Sequence, residues 1–169
     1  MEARPRLSDP PNLTVLHFAV VAVTGQEFLI DELDASWAPQ VTALEAVNHA
    51  DYTITPATSV PHRDESDVFD LWESGCRLFG AITDGRLVAV SVISLTAARA
   101  ETEFTSVHRS YRRRGLAVAV KAASITALAY DGVRIFGTGG AQVNAGSIRM
   151  NEHLGYDIEE RWVSLTLPQ

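Results

Sequence analysis

At 169 residues, 46% hydrophobic and 21% charged, the chain has the size and composition of one globular domain with a single sizeable core. Its net charge of −7 argues against generic nucleic-acid binding, which rests on neutralising many phosphates. The lone Cys76 excludes an internal disulfide and has no second cysteine at metal-ligand spacing, which fits a reducing, cytoplasmic setting; its expected role is a small buried hydrophobe.

Residues 1–12 carry three prolines and no periodicity, and read as a flexible N-terminal arm. The apolar run 13–23 is too short to span a bilayer and contains His17. It reads as a buried strand rather than a signal peptide. Residues 27–50 are helix-like, with Phe28, Leu29, Leu33 and Trp37 and then Val41, Leu44 and Val47, and Pro39 dividing or kinking them. The stretch 51–66 is irregular. Ser66 and Asp67 are expected to cap a short helix that runs through Trp72 and closes at Gly75.

Residues 78–83 and 87–95 read as paired strands around an Asp84-Gly85 turn. Strict alternation over 101–107 would put Glu101, Glu103, Thr105 and Val107 on one face of a strand. An Ala-rich helix follows over 115–130, stopped at Asp131-Gly132. Then come a short strand at 133–137, a helix at 144–154 stopped at Gly155, and a last alternating strand at 161–167. Strands linked by helices imply a mixed sheet with a parallel portion, in an α/β (α+β layered) domain.

Thirteen of the 14 basic residues are Arg and only Lys121 is Lys, which together with abundant Ala hints at a GC-rich bacterial genome. Arg112, Arg113 and Arg114 stand together in an acidic background, which points to a small, specific anion. A helix starting near Gly115 presents free N–H groups and its positive dipole end there, and glycine lets backbone approach a ligand closely. Arginine adds bidentate contacts to oxyanions. The whole describes a phosphate site. Neither G-x-x-x-x-G-K-[ST] nor G-x-G-x-x-G occurs, and Gly137, Gly139 and Gly140 read as a strand exit.

The spacing Val107-x-x-x-x-Arg112-x-x-Gly115-x-Ala117 resembles the acyl-CoA signature of the GNAT superfamily of N-acetyltransferases. A second element, from Asn144 through Ser147, Met150 and Asn151 to Leu154-Gly155-Tyr156, is similar to that family's late helix. The resemblance spans about residues 78–167. It implies a mostly antiparallel central sheet with a splayed parallel strand pair and flanking helices. It also implies one acetyltransferase domain over 13–169, with a variable acceptor-side part (13–75) and an acyl-CoA core (78–167).

In the family's division of labour, Arg112, Arg113, Arg114, Gly115, Leu116 and Ala117 would hold the pyrophosphate of acetyl-CoA, mainly through backbone N–H groups. Backbone near Val107 would polarise the thioester carbonyl, and Asn144 and Ser147 would contact the pantetheine arm. Helical spacing places Asn144, Ser147 or Ile148, and Asn151 on one face. The plainer reading of that helix has Asn144 as an N-cap, Asn151 exposed, and Met150 and Leu154 in the core.

An amine must lose its proton before it attacks a thioester, so a base is required. Glu101 or Glu103 is the expected base, with His108 a weaker candidate. The departing thiolate often receives its proton from a Tyr seven residues after the Asn that opens the late helix, but here that position is Asn151. Tyr111 and Tyr156 do not occupy it, which leaves water to serve. The expected activity is transfer of acetyl from acetyl-CoA to an amine in a direct ternary complex. The expectations include no metal, no nucleic-acid or membrane partner, and a homodimer left open. The rival is a non-catalytic acyl-CoA-binding sensor or partner subunit. The acidic residues of 27–70 could favour a cationic amine or form a solvated face.

Overall fold

A computed structural model describes residues 26–51, 62–97, 99–161 and 163. The strand expected over 13–23 and the arm at 1–12 lie outside them, and of the strand expected over 161–167 only Arg161 and Val163 are described. The described strands form one five-stranded sheet in the order β1 (Leu29–Leu33), β2 (Arg77–Thr83), β3 (Arg86–Thr96), β4 (Arg99–Val107) and β5 (Ile135–Thr138). Neighbours are antiparallel except β4 and β5, which run parallel. Helices α1 (Ala38–Asn48), α2 (Glu65–Glu73), α3 (Leu116–Tyr130) and α4 (Ala145–His153) flank the sheet. The mixed sheet with its parallel pair is the fold class that the sequence implies.

One expectation fails at the start. Residues 29–33 form a strand, the outermost of the described sheet on that side, not the first turns of a helix. Their side chains show neither clear period: Leu29 is exposed, Ile30 half-buried and only Leu33 buried. Pairing with β2, from Leu29 opposite Ile82 to Leu33 opposite Leu78, decides the conformation instead. The strand stops at Asp34, whose carboxylate accepts the Ser36 N–H at 2.9 Å and turns the chain into a short 3-10 turn. Pro39 sits in the first turn of α1, where no donor is needed, so it opens the helix rather than kinking it.

In α2 the cap is Asp64, two residues before the expected Ser66. Asp64 Oδ1 accepts from Asp67 N and Asp67 Oδ2 accepts from Asp64 N, both at 2.9 Å. This reciprocal box satisfies two donors at once, which a cap at Ser66 would not. The β2–β3 turn is as read: Asp84 and Gly85 both take positive φ (49° and 71°), as a two-residue hairpin requires.

The core has two sides. Along β3, Val90 and Val92 point toward α1 and α2, and so does Leu87 on the other side of a bulge at Val88; they meet Val41, Leu44 and Val68. Ala89 and Ile93 face α3, against Leu116, Val120, Ile125 and Leu128. Burying each such side chain is worth roughly 1.5–3 kcal/mol relative to exposure. Cys76 is half-buried against the first of these clusters.

Candidate active site

The site begins with a defect in β4. Between Val92 and Ile93 of β3 the partner on β4 jumps from Phe104 to Thr102, so Glu103 is an extra, bulged residue. The bulge breaks the alternation. Glu101, Phe104 and Ser106 pair with Ser94, Val92 and Val90 and face α1 and α2, whereas Thr102, Thr105 and Val107 pair with Ile93, Ser91 and Ala89 and face α3. Glu101, Thr105 and Val107 therefore do not share a face, contrary to the alternation of the sequence.

The same bulge opens the sheet. β4 and β5 pair only from Arg99 opposite Ile135 to Thr102 opposite Thr138. Beyond Thr102, β4 continues to Val107, and no described strand pairs with it on the β5 side. A bulge increases local twist, which turns the far half of β4 away from β5. The result is an unpaired stretch on the β5 side of β4, with its apex at Glu103, just past the last paired residue, and its mouth at Val107.

From that mouth the chain passes through the cation-rich turn. His108 donates its N–H to Val88 O at 2.9 Å, and its ring Nδ1 accepts the Ser110 N–H at 3.3 Å, so His108 is committed to the turn. Arg113 and Gly115 both adopt positive φ (60° and 78°). At Gly115 a Cβ would meet nothing within 4 Å, so the glycine is there for its left-handed backbone and leaves open space beside the turn. The first helical bond of α3 is Ala119 N to Gly115 O, 2.9 Å, which leaves the N–H groups of the turn before it without intrahelical acceptors.

The three arginines divide by role. Arg112 donates from Nε to Val107 O (3.0 Å) and from Nη2 to Asn48 Oδ1 (3.0 Å), and pairs with Asp51 at 2.8 Å. It ties the end of β4 to the end of α1. Arg114 lies 5.2 Å over the Tyr111 ring, which in turn meets Phe28 edge-on. Arg113 is exposed. The Leu116 side chain is core, 1% exposed, and Ala117 is half-buried, so both can offer a ligand only backbone.

The two glutamates differ. Glu101 Oε2 accepts from Arg99 Nε (3.1 Å) and Nη2 (2.9 Å). Its carboxylate lies over Gly137, where any Cβ would collide with it and with the Arg99 guanidinium. Gly137 is thus a place where a side chain crosses the backbone, not a flexible strand exit. Glu103 is exposed and, among the described residues, accepts from the neutral Ser94 hydroxyl.

Asn144 caps α4, its Oδ1 accepting Ser147 N at 3.1 Å. Asn144 is exposed and Ser147 half-buried. Asn151, expected to be exposed on the plainer reading of that helix, is 1% exposed. It belongs to a cluster absent from the sequence reading. Lys121 Nζ donates to Asn151 Oδ1 (2.6 Å) and Thr138 Oγ1 (3.0 Å) and lies 4.5 Å from the centre of the Tyr156 ring. Burial pushes the Lys121 amine down to about 7, opposed by the charge of Glu101. Burial likewise raises the Tyr156 phenol well above its ordinary range. The one available signal was compositional: the only lysine of the chain interrupts an apolar helix, Val118-Ala119-Val120-Lys121-Ala122-Ala123.

A parallel strand pair that opens at a bulge and feeds a helix N-terminus through a left-handed glycine defines a GNAT-type acyltransferase. The chain belongs to the Acetyltransferase (GNAT) family, whose profile it matches over residues 43–156. No curated protein matches it significantly. Among solved structures it is similar to an aminoglycoside acetyltransferase from an uncultured soil metagenomic sample, in complex with sisomicin (15% identity, TM-score 0.66, covering 84% of this chain and 96% of that one). It is also similar to the ribosomal-protein-S18-alanine N-acetyltransferase of Escherichia coli (21% identity, TM-score 0.65, 77% of each chain). A third is the aminoglycoside N-acetyltransferase AAC(6')-Iy in complex with CoA (16% identity, TM-score 0.66, 85% of this chain and 96% of that one). At these identities the likeness is one of fold. Among the described residues no helix is long and apolar enough to cross a membrane, and no group of three or more His, Cys, Asp and Glu could hold a metal ion.

Proposed function

We propose that the protein is an N-acetyltransferase that moves acetyl from acetyl-CoA to an amine by direct attack in a ternary complex. The observation that carries this reading is the opening of β4 from β5 at the Glu103 bulge, leading straight to the left-handed Gly115 and the start of α3. The pyrophosphate rests against backbone N–H groups over Arg112, Arg113, Arg114, Gly115, Leu116 and Ala117, at the positive end of the helix dipole. The pantetheine arm lies along the free edge of β4 toward Val107, with Asn144 and Ser147 on its other side.

The acceptor enters from the face of the sheet that carries Glu101, Phe104 and Ser106. Here Arg63 stacks on Phe104 at 4.6 Å, and Asn48 Nδ2 donates to Ser106 Oγ at 2.8 Å. Of the two carboxylates, Glu103 is the better base. It is exposed at the apex of the opening, whereas Glu101 is committed to Arg99. As the amine nitrogen bonds to the carbonyl carbon, its proton passes to Glu103, directly or through water.

Calorimetry with acetyl-CoA, followed by turnover across a panel of amines, tests this reading. Binding in the micromolar to millimolar range and release of free thiol with some amine are expected; no binding at millimolar acetyl-CoA would sink it. Glu103→Gln should lower kcat by ~10²–10⁴-fold and remove the acid limb of the pH–rate profile. If Glu101→Gln does so and Glu103→Gln does not, the base is Glu101.

A further inference from the structure

Among the described residues, the acceptor face of the sheet holds a cation without an anion. Arg63 is half-buried, with its guanidinium carbon 4.6 Å from the centre of the Phe104 ring. The ring attracts the cation but offers no lone pair to its N–H groups. Among the described residues no oxygen accepts from Arg63 and no carboxylate pairs with it. Asp64, next to it in the chain, and Asp67 are committed to each other's backbone N–H groups at the start of α2, and Asp51 is committed to Arg112. Both partners of the stack are anchored. Phe104 packs against the cluster that contains Val90 and Val92, and Arg63 directly precedes the capping box of α2, whose Val68 is buried in the same cluster.

Glu103 stands on the same face. Successive strand residues ordinarily point to opposite sides of a sheet, but the bulge lets Glu103 and Phe104 share one. The hydrogen bond from Ser94, a residue of that face, holds the Glu103 carboxylate there. A negative group and a seat for a positive one thus rise from adjacent residues of β4, whose Cα atoms are about 3.8 Å apart. Among the described residues no ion pair joins Glu103 to Arg63, so both charges are left for a ligand that carries both signs. We propose that the acceptor is a small amine that also carries a carboxylate, as a free amino acid does, and that Arg63 is the residue that selects it. This rests on the transferase reading above. The carboxylate accepts two N–H groups of Arg63 in the fork that a guanidinium offers, and the amine nitrogen lies toward Glu103. A polycationic amine would instead bring charge of the same sign against Arg63.

The test follows thiol release from acetyl-CoA by the whole chain, with free amino acids each paired with its own carboxamide. The carboxamide lacks the charge that Arg63 would bind, and its amine is less basic and so more often unprotonated near neutral pH. A preference for the acid therefore cannot come from the amine. For the amino acid it uses best, the wild type should show kcat/KM at least about tenfold above that of the carboxamide. Arg63→Met should raise KM for that acid about tenfold or more while KM for the carboxamide moves by less than about twofold, and Arg63→Lys, which keeps the charge without the fork, should recover part of the loss. Wild-type turnover of every carboxamide at least as good as that of its acid, or of spermidine better than that of every amino acid, overturns the proposal whether or not any variant folds. A parallel rise in KM for both members of a pair in Arg63→Met overturns it too, since a merely structural residue would act that way. Release of no thiol with any amine instead removes the transferase reading itself, and this proposal with it.

Discussion

Two places on one helix invite comparison. At the start of α3 three arginines stand in a row, the most conspicuous charge in the chain, yet Arg112 and Arg114 are spent on bracing the turn and Arg113 faces water. Two turns further on, a single lysine is 1% exposed, with two neutral acceptors, Thr138 and Asn151, and the face of Tyr156 around it. Charge in water is cheap and its clustering says little about its use. Charge out of water is expensive, so it is retained only where the fold or the chemistry needs it. On this argument, backbone should matter most at the first place and the side chain at the second.

Gly115→Glu is the severest test of that contrast. It forces a side chain onto a φ of 78° and puts a carboxylate where the pyrophosphate would rest. Acetyl-CoA affinity by calorimetry should fall at least about a hundredfold, with only about 1–2 kcal/mol of stability lost to the left-handed backbone. Retained affinity would mean that the turn does not hold the coenzyme. Gly115→Ala separates the two causes, since it carries the strain without the charge.

Lys121→Met comes next, and its effect on stability depends on pH. The folded amine titrates at about 7 and the unfolded one at ~10.4. Between those values the unfolded chain binds the extra proton, so unfolding free energy rises with pH across the window. Below pH 7 both states are protonated, and the wild type holds a buried ammonium at its least favourable. Met removes that burden. Met also leaves the buried Asn151 oxygen without its donor, at a cost of about 1–3 kcal/mol, so the prediction lies in the slope: relative to the wild type the variant should stand highest near pH 6 and fall by about 1–3 kcal/mol toward pH 9 in denaturant titrations. A gap that is independent of pH would show that Lys121 is not titrating inside the fold.

Which parts were legible follows from the same distinction between local and non-local causes. The Asp84-Gly85 hairpin, α3 and the Asn144 cap could be read because turn chemistry, helix propensity and capping act within a few residues. β1 could not, since Leu29–Leu33 owes its conformation to β2, which lies more than 40 residues further along the chain. The Glu103 bulge was equally hidden. Nothing in Glu-Thr-Glu-Phe-Thr-Ser-Val marks which residue is the extra one; the register with β3 decides it, and with it the face on which each glutamate stands. Lys121 and Asn151 are neighbours only because α3, β5 and α4 converge. The sequence shows a lysine in an apolar helix, but not the amide that meets it.

The smallest effects discriminate among the arginines. Arg112→Ala removes donors to Val107 O and Asn48 Oδ1 and leaves Asp51 without its partner. The ion pair is partly exposed and counts for little, so the charge-assisted hydrogen bonds from the guanidinium to the two neutral oxygens set the cost, at about 1–2 kcal/mol of stability for partly exposed bonds. Acetyl-CoA affinity should drop by several-fold because the end of β4 is no longer tied to the turn. Arg113→Ala has no such bond to break. Arg113 holds φ at 60°, where alanine is no less strained than arginine, so stability should change by less than about 0.5 kcal/mol. If backbone N–H groups hold the pyrophosphate, the loss in affinity should stay near twofold at 0.15 M salt and vanish at higher ionic strength, as a screened long-range attraction would. A loss as large as that of Gly115→Glu, persisting at high salt, would make Arg113 a direct ligand and reverse the contrast between the two ends of the comparison.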